Sequence, residues 1–422
     1  MASFSSAVPS IHSHMDSGAI IHISTRQSLA GSTVVKLKLK PEKCLEAAGS
    51  FKQWFHFDAH NLPTGSDTNT FFEIVDAGES TFPDWSGYKV CMTSDRKTWD
   101  RVDSTKFEDG VLSWVVSNLD TSSLTFAYFP TYSLERQETK LREWLATEKC
   151  THSILGHSVQ GRPLHSLVFT PTSTLRNVIW IQHRQHPGEV SASWFCEGVM
   201  SKLLSLPPSS PLLQTCKIIV VPNVCPDGGH LGHLRTNASG ANLNRCWGII
   251  HNTTAPGQTT PPAPEVVAMT SAMISLDGPD LMLDIHQDEE KPYVFISKTP
   301  LGVPSCTPPL RLLRSKFHSI LRSKSVDFET PGPIDPVGYP EPSPGTANLN
   351  ICSAAVAERW PGCLSLTMEH PYKGNDNRGK EYSRGFTVEQ CRELGEKTVE
   401  AVEEILPDLI RKRGGKKRKE TF

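Results

Sequence analysis

Two histidines and two glutamates, far apart in the chain, have the residue types and settings of a hydrolytic metal centre. They are His186 and Glu189 in His186-Pro187-Gly188-Glu189, His286, and Glu369 at the end of Leu366-Thr367-Met368-Glu369. Two imidazoles and one carboxylate fill three positions of a tetrahedral ion and leave the fourth for water, which makes such an ion catalytic. Glu369 suits the remaining task, taking a proton from the attacking water and returning it to the leaving amine. Two cations accompany the set: Arg235 and Arg245 lie ten residues apart in a Gly/Ser/Asn-rich loop. The guanidinium fork of Arg245, beside the amide of Asn244, matches a terminal carboxylate, and Arg235 is then free to stabilise an oxyanion.

Each piece alone has a plainer reading: an incidental loop histidine, a helix-start glutamate, solvated arginines. The elements that must position them strengthen the set. Val178 to Gln182 is a short apolar run, Pro187 and Gly188 break it, and Val190, Trp194, Phe195, Val199 and Leu203 recur at helical spacing. This predicts strand, tight loop and helix, with His186 in the loop and Glu189 in the first helical turn. Leu281 to Ile285 is a second strand, with His286 at its C-terminal end and the acidic stretch Asp288-Glu289-Glu290 following. Asp284 lies two residues before His286, on the same strand face, where its carboxylate can orient the imidazole. Cys363 to Met368 is a third strand that ends in Glu369, where a core pattern asks for an apolar residue. Glu358, beside Arg359, reads as half of an ion pair.

The order H-P-G-E, P-D-G at Pro226 to Gly228, R-x-N-x-x-G-x-N-L-N-R-x-W at Arg235 to Trp247, D-I-H and L-T-M-E resembles the zinc metallocarboxypeptidases of the carboxypeptidase A type. The N-terminal segment ahead of these motifs is similar to that of the cytosolic carboxypeptidase branch, which includes tubulin deglutamylases. The resemblance implies one Zn2+ per chain on His186, Glu189 and His286, and Glu369 as general base. It implies Arg235 on the scissile carbonyl, Asn244 and Arg245 on the substrate carboxylate, and a tyrosine folding over the substrate, for which Tyr339 is the candidate. Two departures stand out. Asn242 occupies a position where many relatives have Asp, and Gln287 to Glu290 differs from their small-residue loop after the third ligand. The rivals are a zinc amidohydrolase of the aspartoacylase type acting on N-acyl amino acids, and a non-catalytic binding scaffold.

The chain has 422 residues, 37% hydrophobic and 21% charged, with 11 scattered cysteines and no Cys-x-x-Cys pair. These features read as reduced cysteines and not as a disulfide framework, and they fit an intracellular enzyme, with cytoplasmic residence expected. No apolar run reaches membrane-span length, and neither a membrane nor nucleic acid is an expected partner. The expected partner is a peptide or protein C-terminus, an acidic tail such as that of tubulin among them. Arg359 and Lys373 are the cations proposed for an acidic side-chain pocket. The expected fold is α/β, a mixed sheet flanked by helices, preceded by an all-β sandwich. Its expected divisions are a disordered 1–17, a sandwich over 18–132, a catalytic domain over 133–408 and a basic disordered tail over 409–422. Seven basic residues gather in Arg411 to Lys419; the plain reading of that run is a solvated tail, and the sharper one is nuclear entry or docking to an acidic partner. The Pro/Gly/Thr-rich stretches Thr253 to Pro264 and Thr330 to Pro344 are expected to form rim loops.

Overall fold

The computed structural model describes residues 8–27, 32–45, 50–66, 68–172, 177–251, 263–328, 338–374 and 384–412. The first part of the chain alternates short β-branched and aromatic runs with Asp- and Gly-rich turns, and it folds into two five-stranded sheets. One has the order Ser10–His12, His56–His60, Leu124–Ala127, Cys91–Thr93, Asp100–Arg101. The other has the order Ile21–Gln27, Thr33–Lys38, Asn69–Ile74, Val111–Ser117, Lys106–Glu108. Their inner faces meet through rings: Phe57 and Phe126 of the first sheet lie against Phe72 and Trp114 of the second.

The apolar and aromatic run Phe51 to Phe57 becomes a strand only from His56. The expectation of disorder over 1–17 fails where those residues are described. Ser10–His12 pairs antiparallel with His56–His60, an edge contact that its Ser/His composition conceals. At the other end, the last helix runs Val388–Lys412, past the predicted start of the tail. Residues 413–422, and most of the two expected rim loops, lie outside the described residues.

The helix Leu134–Leu145, with Ser133 capping it by accepting the Arg136 N–H, leads to a seven-stranded mixed sheet. Its order is Thr151–His157, Pro163–Phe169, Cys216–Val221, Asn177–His183, Leu281–Asp288, Leu364–Pro371, Phe295–Ile296. The middle four strands are mutually parallel and the flanking three antiparallel to their neighbours. Both faces are covered. Ile179, Ile181, Leu281, Leu283, Ile285, Leu364, Leu366 and Met368 belong to the apolar layer shared with the helices Ser191–Ser205 and Val388–Lys412. Val178, Trp180, Met282, Val221 and Trp247 belong to the opposite layer, with the helix Pro264–Ser275. Period-two alternation with both sides buried is the pattern of a central parallel sheet.

The Ser191–Ser205 and Val388–Lys412 helices approach closely enough that a Cβ on Gly198 would sit 1.9 Å from the Arg392 carbonyl oxygen. Sandwich and mixed sheet are also in contact, Tyr128 stacking on Tyr372 at 4.4 Å just beyond the Leu364–Pro371 strand. Among the described residues, no helix is long and apolar enough to cross a membrane.

Candidate metal centre

The parallel strands deliver the site. Met282, Asp284 and His286 share one face of their strand, and His286 lies directly opposite Glu369 on the next strand. A cross-strand pair on one face stands within side-chain reach. Both strands extend further than expected, to Asp288 and Pro371, so His286 and Glu369 stand inside strands and not at their ends. His186 and Glu189 come from the connection after Asn177–His183. The following helix begins only at Ser191, so Glu189 sits in the turn ahead of it and not in its first turn. That turn is fixed by a close approach: a Cβ on Gly188 would meet the Leu234 backbone at 2.7 Å.

His186, Glu189 and His286 each offer a ligand atom within 4.8 Å of the other two, the one such group among the described residues. His186 Nδ1 lies 2.6 Å from Glu189 Oε1, His286 Nδ1 lies 2.8 Å from Glu189 Oε2, and the two Nδ1 atoms are 3.1 Å apart. All three side chains are buried. Behind them, His186 Nε2 meets Asn242 Oδ1 at 3.1 Å and His286 Nε2 meets Asp284 Oδ2 at 3.0 Å. Each imidazole thus aims one nitrogen at a common point while an oxygen holds the other, the usual arrangement for metal-ligating histidine. The residues fit a metal ion. Asn242 and Asp284 each meet a different imidazole.

Burial and mutual charge shift the acids and bases of this group in opposite directions. Burial lowers the His186 pKa to about 4, against the pull of Glu189. Burial opposes ionisation of Glu189, but His186 and His286 together hold its carboxyl well below the usual range. Burial likewise works against protonated His286, yet Asp284 and Glu189 raise it well above the ordinary value. Glu369 is pushed up by burial, is drawn down by His286, and is raised further by Glu189, Asp288 and Asp284.

Several residues that hold this set were not singled out from the sequence. Asp284 also accepts from Gln182 Nε2 at 2.9 Å and Gln185 Nε2 at 2.8 Å. The two amide oxygens in turn accept from Trp180 Nε1 at 2.9 Å and Trp247 Nε1 at 2.6 Å. The backbone N–H of Gln287 donates to Glu189 Oε2 at 3.1 Å. The signal that existed is at Gln182 alone, an amide at the end of an apolar strand run and in period-two match with Trp180. Glu289 is buried too; burial, then Glu189 and Asp288, push its carboxyl well up, against Arg235.

The cationic residues divide. Arg235 is half-buried, and its charge acts on both His186 and Glu289. Asn244 is buried, and its Oδ1 accepts the N–H of Cys352 at 2.8 Å, the first residue of the Cys352–Arg359 helix. With the oxygen committed, its amide N–H pair is the end suited to a carboxylate. Arg245 is exposed and donates from Nη1 to the Asn244 carbonyl at 2.8 Å. Tyr339 donates to Asp288 Oδ2 at 2.5 Å, packs edge-on against Phe295 at 5.0 Å, and feels the charge of Glu369. Arg359 and Lys373 are used elsewhere. Lys373 donates to the Asp84 carbonyl of the sandwich at 3.1 Å, and Arg359 lies 5.9 Å from the Trp360 ring. Glu358 accepts from the Ser305 N–H at 2.9 Å.

Comparison with known proteins adds independent findings. Residues 11–129 match the cytosolic carboxypeptidase N-terminal domain and residues 145–308 match the zinc carboxypeptidase family. A metallo-carboxypeptidase from Pseudomonas aeruginosa, solved in complex with (2-guanidinoethylmercapto)succinic acid, is 31% identical. The match covers 95% of this chain and 100% of that one, at a TM-score of 0.82. A metallo-carboxypeptidase from Burkholderia cenocepacia is 30% identical over 95% of this chain and 99% of that one, at 0.80. Cytosolic carboxypeptidase 6 of Homo sapiens is 28% identical over 50% of this chain, and the match spans 45% of that longer protein.

Proposed function

The chain belongs to the zinc carboxypeptidase family and is a metallocarboxypeptidase, and from that premise we propose that it works through a single zinc ion held by His186, Glu189 and His286. When bound, zinc would lower the pKa of a water molecule to about 7 and polarise the scissile carbonyl. The chain's own residues supply the rest. Glu369, opposite His286, accepts the proton of the attacking water and delivers it to the departing amine, which is the C-terminal residue of the substrate. Arg235 donates to the developing oxyanion. Asn244 and Arg245 hold the terminal carboxylate, and Tyr339, tethered to Asp288, closes over the bound residue. The observation that carries this reading is the pair of imidazoles aimed at one point, each braced from behind by its own oxygen.

Substrates are peptide or protein C-termini. The finer reading, removal of terminal glutamate as from an acidic tubulin tail, draws on the likeness to cytosolic carboxypeptidases. It does not draw on Arg359 or Lys373, whose contacts lie elsewhere. The compound bound by the Pseudomonas relative carries a guanidino group as well as two carboxyl groups; its carboxylates fit donors near a metal, and it does not bear on an acidic preference. Both remaining rivals lose ground to the family matches at residues 11–129 and 145–308.

The test is incubation of the zinc-loaded protein with peptides that differ only in their last residue, read by mass spectrometry with and without a chelator. Loss of one C-terminal residue, abolished by the chelator and restored by zinc, is expected, and terminal glutamate should be released fastest. Internal cleavage, or turnover indifferent to the chelator, would overturn the reading; equal rates for all last residues would remove only the acidic preference.

A further inference from the structure

The loop that carries Arg235 is held from the N-terminal sandwich. Glu42, shortly after the Thr33–Lys38 strand, is 6% exposed. Its carboxylate accepts three successive backbone N–H groups: those of Leu234, Arg235 at 3.0 and 3.2 Å, and Thr236 at 3.0 Å. The neighbouring residues extend the contact. Thr236 Oγ1 donates to the Lys43 carbonyl at 2.7 Å, and the Leu45 N–H donates to the Gly240 carbonyl at 2.9 Å. Gly240 has φ +92°, and a Cβ there would meet Lys43 Cγ at 2.9 Å, so the loop has room for this partner only because it carries no side chain. At the far end of Arg235, the guanidinium carbon lies 5.6 Å from the centre of the Phe51 ring.

A buried carboxylate is costly unless its oxygens are hydrogen-bonded. Burial pushes the Glu42 carboxyl up to about 7, and the three N–H bonds work against that rise. Three consecutive amides aimed at one anion define the backbone on both sides of Arg235, because rotation about any of these residues would break at least one bond. An aromatic face then attracts the cation at the other end of the same side chain. Both ends of Arg235 are therefore set by residues more than 180 positions earlier.

We propose that Glu42, assisted by Phe51, is a positioning residue for Arg235, so that the N-terminal sandwich completes the oxyanion site of the catalytic sheet. The proposal rests on the reading of Arg235 as oxyanion donor. A donor displaced by about 1 Å can cost a hundredfold in rate, and loss of one oxyanion donor about 10²- to 10³-fold. An interface contact without this role would cost stability alone.

The test compares Glu42→Ala, Glu42→Gln, Arg235→Ala and the Glu42→Ala/Arg235→Ala double variant in the full chain, on one cleavable peptide. Rates are normalised to zinc content and folded fraction. Glu42→Ala should lower kcat roughly 10- to 100-fold with KM within about twofold and zinc content unchanged. Glu42→Gln, which keeps one carbonyl acceptor, should lose less, and the double variant should be no slower than Arg235→Ala alone. If Glu42→Ala does not fold, Glu42→Gln and Phe51→Leu decide the question by the same kcat criterion. Unchanged kcat with a lowered melting temperature would overturn the proposal, as would losses that multiply in the double variant. Wild-type turnover by Arg235→Ala would instead remove the reading of Arg235 itself, and the positioning role with it.

Discussion

The inner face of the sandwich and the C-terminal end of the parallel sheet are equally dry and chemically opposite. In the sandwich, Phe72 stacks on Trp114 at 5.2 Å with rings 9° from parallel, and Phe126 lies 4.8 Å from Phe72. At the sheet end, His186, Glu189, His286, Asp284 and Glu369 are all at most 6% exposed. Burying rings stabilises the fold through area and ring geometry. Burying ionisable groups costs free energy that the apolar layers beneath the sheet must offset. One region is built for stability and the other tolerates instability for chemistry.

That contrast can be broken by substitution. Glu369→Gln should lower kcat on the order of 10²- to 10⁴-fold while leaving zinc content unchanged, the typical contribution of a general base. It should not lower the melting temperature, since the change removes a buried carboxyl; near-normal rates would take Glu369 out of the mechanism. Phe72→Ala should do the reverse, costing about 3–5 kcal/mol in denaturant unfolding. Its kcat per folded molecule should stay near wild type. If turnover fell along with stability, the two regions would not be separable.

The smallest expected effect concerns pH. Burial lowers the His56 pKa from 6.5 to about 4 within the sandwich, where its Nδ1 meets Ser17 Oγ at 3.0 Å. The unfolded chain takes up this proton near 6.5 and the folded chain only near 4. Stability is therefore fully present above 6.5, falls as pH drops toward 4, and levels off below. Between pH 7 and 5 this one group should cost about 2 kcal/mol. Equilibrium denaturation of wild type and His56→Gln at both values checks it, and an unchanged pH dependence in the variant would show that His56 is not buried neutral. His183 and His370, lowered by burial to about 4 and about 3 in the apolar layer under the site, add the same sign.

Much of the site was legible because its residues interrupt strong local patterns. Glu369 is a carboxylate within an apolar strand run, His286 and Asp284 share a strand face by parity, and His186-Pro187-Gly188-Glu189 breaks the pattern between a strand and a helix. The braces behind the ligands were less visible. Asn242 looked like a departure from the expected aspartate, yet it meets His186 as an acceptor all the same, because an amide oxygen suffices to hold an imidazole N–H. Gln182 and Gln185 gave little sign, since an amide within a strand or turn has many bland explanations. The directions of Arg359 and Lys373 were not legible, because charge close to Glu369 in sequence says nothing about which way a long side chain runs.

By itself the sequence determined the alternation of strands and helices, the residue types of the candidate metal group and the residues of one polar sheet face, because these depend on period, turn chemistry and composition within a few residues. Only the tertiary structure decided that His286 stands opposite Glu369, that Lys373 turns to Asp84, and that Glu42 grips the backbone at Arg235. Those are contacts between segments that local pattern leaves independent, and strand register and domain docking alone bring them together.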